Sequence, residues 1–388
     1  MFSLFKSRKN RNKALQIGFV GFLILIVIAF ILTARSNLES QGLTSGFDFL
    51  DRATGIGLNF SLIPYKSSDT YSRALLIGIL NSIFVGAISL TFATFIGIVV
   101  GVMRTSRNTM AKLIGTTYVE VFRNIPLLLQ LFFWYAILIS LPRPTKTTGI
   151  FDMFFLTGRG IFTPGLNISG NFVFFAIMVM IATSGFVLWF NYSRRFLKFD
   201  EIKKFKIKRI VWIVGLIISI VLLTIGRIPG TELINIPYLK GLNYRGGICI
   251  TPELMACIVA ISIYGGAYIG EIIRAGINSV SFIQSEAAHA LGLSNWHKFS
   301  RIILPLAIRA VMPTMINQYI WLFKATTIGI AIGFVDFFMV VSTSINGSGQ
   351  TLELIGILMG GFLMINYLIA WTLNRVNNLI KLKGIQVN

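Results

Sequence analysis

The sequence predicts an all-α membrane protein of about eight transmembrane helices, with its N- and C-termini cytoplasmic. Three observations predict it. Of 388 residues, 55% are hydrophobic and only 13% are charged, against about 45–50% and about 25% in soluble chains. A water-exposed surface of ordinary polarity cannot be built from that supply. The apolar residues fall into eight runs near the length of about 20 residues that a bilayer-crossing helix needs. These cover roughly 15–34, 74–103, 113–141, 171–191, 210–228, 251–273, 306–335 and 352–373. The charge is also one-sided, with 35 Lys and Arg against 14 Asp and Glu. If the N-terminus is cytoplasmic, alternate loops place 23 basic residues inside and 10 outside, the bias that orients membrane proteins. A nucleic-acid partner is not expected, because cations that bind nucleic acid sit on folded polar faces and not between apolar runs. Two Cys and two His are too few for a Cys/His metal cluster or a disulfide scaffold, so no metal and no cofactor is expected.

Taken in order, the first run follows Lys6, Arg8, Lys9, Arg11 and Lys13. It is longer than a signal-peptide core and lacks a small-residue cleavage site, so it reads as an uncleaved anchor. With the outer segment 35–73, rich in Gly and Ser and expected to form a short folded cap, it makes a first unit, 1–73. The remainder, 74–388, is a transmembrane domain. Gly78, Gly86, Gly97 and Gly101 suggest close helix packing. The basic stretch Arg194–Arg209 is expected in the cytoplasm. Segment 229–250, with Pro229, Gly230, Pro237, Gly241, Gly246 and Gly247, reads as turns on the outer side.

Between Arg274 and Arg309 the membrane pattern breaks. Ser285-Glu286-Ala287-Ala288 opens a run of helix formers, Gly292 interrupts it, and a second short amphipathic run from Asn295 ends at Ile302-Ile303-Leu304-Pro305. This spells helix, glycine-permitted turn, helix, and then a proline-marked start of the next span, since proline disfavours helix in the residue before it. Glu286, Ala287, Ala288, Gly292, Ile302, Leu304 and Pro305, in a cytoplasmic loop at about 280–305, match the EAA loop of ABC importer permeases. Flanking stretches sharpen the likeness. Glu120-Val-Phe-Arg123-Asn124-Ile-Pro126 and the run Ala267–Ile277 resemble the polar-amino-acid permeases. The long outer segment ending Leu62-Ile-Pro64-Tyr65 resembles the general L-amino-acid permease subgroup. Phe323-Lys324-Ala325-Thr326-Thr327-Ile328 follows a family element but departs from it at Ala325 and Thr327.

The resemblance implies a type I importer (MetI-like) permease core with extra helices. It also implies a multi-pass place in the bacterial inner membrane and a loop that couples to a cytoplasmic ABC ATPase dimer. A second related permease (or a second copy) and a periplasmic amino-acid-binding protein complete the implied assembly. ATP would then be bound by the partner, in keeping with the sequence, where Gly347-Ser-Gly-Gln350-Thr has neither the spacing nor the lysine of a phosphate loop. The chain is not expected to be an enzyme. The competing class, a secondary transporter or channel for small polar solutes, would be supported by repeats with discontinuous helices, and none is evident.

Charges inside membrane helices are costly and ask for a partner or a function. Glu120 with Arg123, and Glu271 with Arg274, lie three apart and can neutralise each other within one turn. Alternatively, Arg123 and Arg274 line a gate or substrate pathway balanced by these acids, with Asn124 and Pro126 at a bend in it. Lys324, near the outer end of the seventh run, either snorkels or faces the carboxylate of a passing amino acid. Tyr268 and Asn317 offer further polar groups to such a path.

Overall fold

A computed structural model describes residues 8–40, 46–192 and 201–380. The expectations at Lys6, at Arg194, Arg195 and Lys198, and at Lys381 and Lys383 fall outside the described residues. Twelve helices dominate the described chain: α1 Arg8–Ser40, α2 Tyr71–Thr105, α3 Thr109–Asn124, α4 Leu127–Ile139, α5 Gly170–Tyr192 and α6 Glu201–Ile225, followed by α7 Pro252–Ser279, α8 Phe282–Ala290, α9 Asn295–Lys298, α10 Leu304–Lys324, α11 Phe337–Ser348 and α12 Thr351–Ile380. Six helical stretches are long and apolar enough to cross a membrane, and seven if the bent pair α3 and α4 counts as one. The eight expected from the sequence are reached only if α5, whose apolar stretch Phe172–Val187 is shorter, crosses as well.

The core is built on α2 and α7. Thr70 caps α2 by accepting the Arg73 N–H, and Thr251 caps α7 by accepting the Leu254 N–H, which satisfies donors a helix start leaves free. The expected glycines do close the packing. A Cβ at Gly97 would lie 2.4 Å from Ile269 Cγ2, and one at Gly101 2.7 Å from Ile273 Cγ2. Gly86 accommodates the Phe323 ring, and Gly78 the backbone of Phe337. Small residues let helices approach where lipid supplies no hydrophobic drive between them. The outer segment folds down beside this core: Phe49, 2% exposed, meets Tyr71 edge-on and packs with Val335 and Phe337.

Two elements depart from the straight spans the sequence suggested. The run 113–141 is not one helix. It bends by 102° between α3 and α4, where Pro126 has no N–H to give the Phe122 carbonyl one turn back. Pro305, in turn, does not break its helix. The turn Phe299–Ile303 is widened so that the Leu304 N–H reaches Phe299 O, five residues back. The ladder is therefore already offset where the proline enters, and helix runs unbroken from α9 into α10.

Short strands form in 155–166 and in 234–250, the second of which was expected to hold only turns on the outer side. β1 Phe155–Thr157 pairs antiparallel with β2 Gly160–Thr163, which pairs with β7 Ile248–Ile250. β3 Gly165–Leu166 pairs with β4 Ile234–Asn235, and β5 Tyr238–Lys240 with β6 Asn243–Arg245. Tyr244 stacks on Phe155 at 4.1 Å and seals this small cap. α5 and α6 form a hairpin beneath it, with Gly215 set against Thr183 and Ser219 Oγ donating to Gly215 O.

Candidate functional site

α7 fixes the geometry of the site. One residue, Thr251, separates it from β7 of the cap, and two, Val280 and Ser281, separate it from α8 of the Glu286 loop. Its 28 residues span roughly 42 Å at 1.5 Å per residue, a bilayer thickness. Halfway along, Tyr264 Oη donates to Tyr268 Oη at 3.1 Å. Trp321 of α10 stacks on Tyr264 at 5.7 Å and lies 6.1 Å from Tyr268. The Arg123 guanidinium sits over the Tyr268 ring, 5.0 Å from its centroid, a cation–π contact. Asn317, Trp321 and Lys324 recur at helical spacing on one exposed face of α10. The result is a patch of cations, aromatic rings and one amide at mid-depth.

Lys324 belongs to this patch and not to the outer end of its span. Its neighbour Phe323 packs on Gly86, and Leu322 on Gly265, both near the middle of their helices. The span continues beyond it as the tight helix Ala325–Ile332. A lysine at that depth lies beyond easy reach of the headgroups, and a lipid-facing one would cost about 2.5–3.5 kcal/mol on insertion scales.

The two acid–arginine echoes differ. Glu271 does pair with Arg274, at 2.5 and 3.0 Å. It also pairs with Arg104 of α2, which sequence reading missed because the partner lies 167 positions away. Glu120 and Arg123 do not pair among the described residues. Both are exposed, and Arg123 turns to Tyr268 because the bend after Asn124 points the end of α3 at α7. Asn124 Nδ2 donates to Glu120 O at 2.7 Å, trimming the end of α3. Gln130, buried and also missed, donates from Nε2 to Phe122 O at 2.9 Å and to Ile125 O at 3.0 Å. It supplies the hydrogen bond that Pro126 cannot. A glutamine in an apolar run, one turn after a proline, was the available signal.

At the cytoplasmic end, Gly292 takes φ +72°, and a Cβ there would meet nothing within 4 Å. The turn thus needs its backbone shape and not a close approach. The N–H of Gly292 donates to His289 O and that of Leu293 to Ala288 O, closing α8 as a glycine-ended helix does. Ser294 caps α9 and holds His297 Nδ1 at 2.8 Å. Ala288 is buried at 1% exposure, whereas Glu286 and Ala287 face solvent. Ile302, Leu304 and Pro305 are half-buried in the widened turn and the start of α10. Phe282, Ile283, Leu291 and Trp296, each more than 70% exposed, were not singled out from the sequence. Four large apolar side chains left exposed on one loop mark it as a candidate interaction surface.

Residues 210–378 match the model of the family described as binding-protein-dependent transport system inner membrane component. Over 368 residues the chain is 37% identical to the permease protein YhdX of Escherichia coli (strain K12), covering 94% of this chain and 91% of that one. It is 33% identical to the general L-amino acid transport system permease protein AapQ of Rhizobium johnstonii, with 96% and 94% covered. Among solved structures, the MetNI methionine ABC transporter in an inward-facing form aligns over 80% of this chain and 98% of that chain, at 13% identity and TM-score 0.47.

Proposed function

This chain belongs to the inner-membrane amino-acid ABC transporter permeases, and from that premise we propose how it imports. The cargo is amino acids, moving along the face that carries Arg123, Tyr268, Trp321, Asn317 and Lys324. Arg123 and Lys324 offer two cations to the α-carboxylate, and the rings of Tyr268 and Trp321 offer apolar and π surface to the rest. Pro126 and Asn124 set the bend that aims Arg123, while Glu271, held between Arg104 and Arg274, ties α2 to α7 at the inner end of the path. Glu120, exposed one turn before Arg123 on α3, balances its charge on the same side of the path.

A separate cytoplasmic ATPase dimer binds and hydrolyses the ATP, so this chain needs no cofactor of its own. It docks on the loop of Glu286, Ala287, Ala288 and Gly292, with Ile302, Leu304 and Pro305 carrying motion into α10. A periplasmic amino-acid-binding protein delivers the cargo, and a second related permease, or a second copy, supplies the other wall of the path. The observation that carries this reading is mechanical. The exposed apolar residues Phe282, Ile283, Leu291 and Trp296 sit on a loop continuous with α7 and α10, the two helices that bear the mid-depth patch. A push on the loop therefore reaches the patch through rigid helices. Co-purification with an ATPase subunit, together with uptake of labelled amino acids in cells with and without this chain, tests it. Uptake that persists without any ATPase partner sinks it.

A further inference from the structure

The outer cap carries a charge pattern that orientation does not explain. Its two segments, 141–169 and 226–251, hold six basic residues, Arg143, Lys146, Arg159, Arg227, Lys240 and Arg245, against the acids Asp152 and Glu232. All six cations are exposed. They lie on the side where Lys and Arg are otherwise scarce. Two of them share a hollow of about 380 Å³, walled by Leu141, Thr145, Gly158 and Leu242 and flanked by Arg143 and Arg159. None of its lining residues is acidic. Arg159 is held in place by donating from Nη1 to Leu242 O at 2.9 Å.

The hollow is mounted rigidly on the transport core. At Gly158, in the turn between β1 and β2, a Cβ would lie 2.7 Å from Ile139 O and 2.9 Å from Leu141 O, so the turn rests directly on the end of α4. Its N–H also donates to Pro142 O at 3.0 Å. β2 is tied to β7, and β7 passes through Thr251 into α7. Whatever binds the hollow therefore holds the outer ends of both α4 and α7. These are the helix that follows the Arg123 bend and the helix that bears Tyr268.

We propose that Arg143 and Arg159 form a socket for a carboxylate side chain on the acidic face of the soluble binding protein, and that docking there is the contact the cap provides. This rests on the function proposed above. Paired guanidiniums bind carboxylates in forked, charge-assisted geometry, and arginines recur among the residues that dominate interfaces. At about 380 Å³ the hollow has ample room for a Glu or Asp side chain between the two arginines. The remaining cap cations steer the encounter. The partner follows from the charge and from the family, whose transport depends on a binding protein.

The test uses the whole transporter in vesicles, with the amino-acid-binding protein that supports uptake, and reads stimulated ATP hydrolysis against binding-protein concentration. Arg143→Glu with Arg159→Glu raises the half-maximal concentration at least tenfold and flattens its dependence on NaCl. Arg143→Gln with Arg159→Gln gives a smaller rise. The same reversal on the other sheet, Lys240→Glu with Arg245→Glu, moves it less than threefold. Membrane abundance of each variant is measured alongside, and the neutral pair keeps the comparison open if the reversed pair fails to accumulate. Unchanged concentration dependence in both socket variants overturns the socket and leaves the proposed function standing. An equal effect from the Lys240 and Arg245 reversal overturns it in favour of general charge. A defect that follows the anionic-lipid content of the vesicles, and not the binding protein, assigns the arginines to headgroups and overturns it too. A wild-type complex that no binding protein stimulates refutes the proposed function, and the socket falls with it.

Discussion

At the scale of single residues, charge at mid-depth separates function from stability. Arg123 is exposed and rests on one face of Tyr268, so Arg123→Ala removes about 0.5–1 kcal/mol of cation–π contact. Its loss should spare folding and reduce uptake more than tenfold at normal membrane abundance. Disappearance from the membrane would make the residue structural. Glu271 behaves in the opposite way. Glu271→Gln leaves Arg104 and Arg274 without their carboxylate near the membrane interior. Breaking a buried pair costs about 3–5 kcal/mol. Glu271 is about one-quarter exposed, which reduces the expected loss to about 1–3 kcal/mol, read as a lower melting temperature of the detergent-solubilised chain. An unchanged melting temperature would mean that water satisfies both arginines.

At the scale of elements, the kink and the coupling turn are each set by one residue. Gln130 stands in for the N–H that Pro126 lacks. Gln130→Leu strands the carbonyls of Phe122 and Ile125, at about 1–3 kcal/mol for each unpaired group. It should swing the end of α3, so that a cross-link between cysteines placed at 123 and 268 is lost. Retention of that cross-link would show that packing alone holds the bend. Gly292 needs φ +72° but has open space around it. Gly292→Val should therefore strain the turn by about 1–2 kcal/mol, leave insertion intact and abolish ATPase association. Gly292→Asn, a residue that tolerates this conformation, should retain it. Equal loss in both would point to a steric role that the open space denies.

At the scale of the whole molecule, the two native cysteines report orientation. Cys249 is exposed in the cap and Cys257 is buried in α7. A membrane-impermeant maleimide added to intact cells should label the first and spare the second. The strands around Cys249 desolvate its thiolate, and Glu253 adds repulsion, so the thiol titrates above its ordinary range. A raised pKa leaves less thiolate at neutral pH. Labelling should thus be slower at pH 7 than that of an unperturbed exposed thiol and accelerate as the pH rises. Labelling that requires permeabilised cells would invert the topology and place the coupling loop outside.

The sequence by itself determined the membrane class and the family, because bilayer-length apolar runs, one-sided charge and the Glu286–Pro305 spacing are local and additive along the chain. It also located the packing glycines on α2 and the glycine turn of the coupling loop. Only the tertiary structure decided what the charges do. Arg104 joins Glu271 across 167 positions, Arg123 leaves Glu120 for Tyr268, and Lys324 lies at mid-depth because the chain continues past it as a tight helix. These outcomes depend on which helices meet and at what angle. A bend of 102° at Pro126 redirects a whole helix end, and no count along the sequence contains that direction. The β cap was likewise invisible, since its strands are two to four residues long and exist only through partners as much as 89 positions distant, as Ile161 is from Ile250.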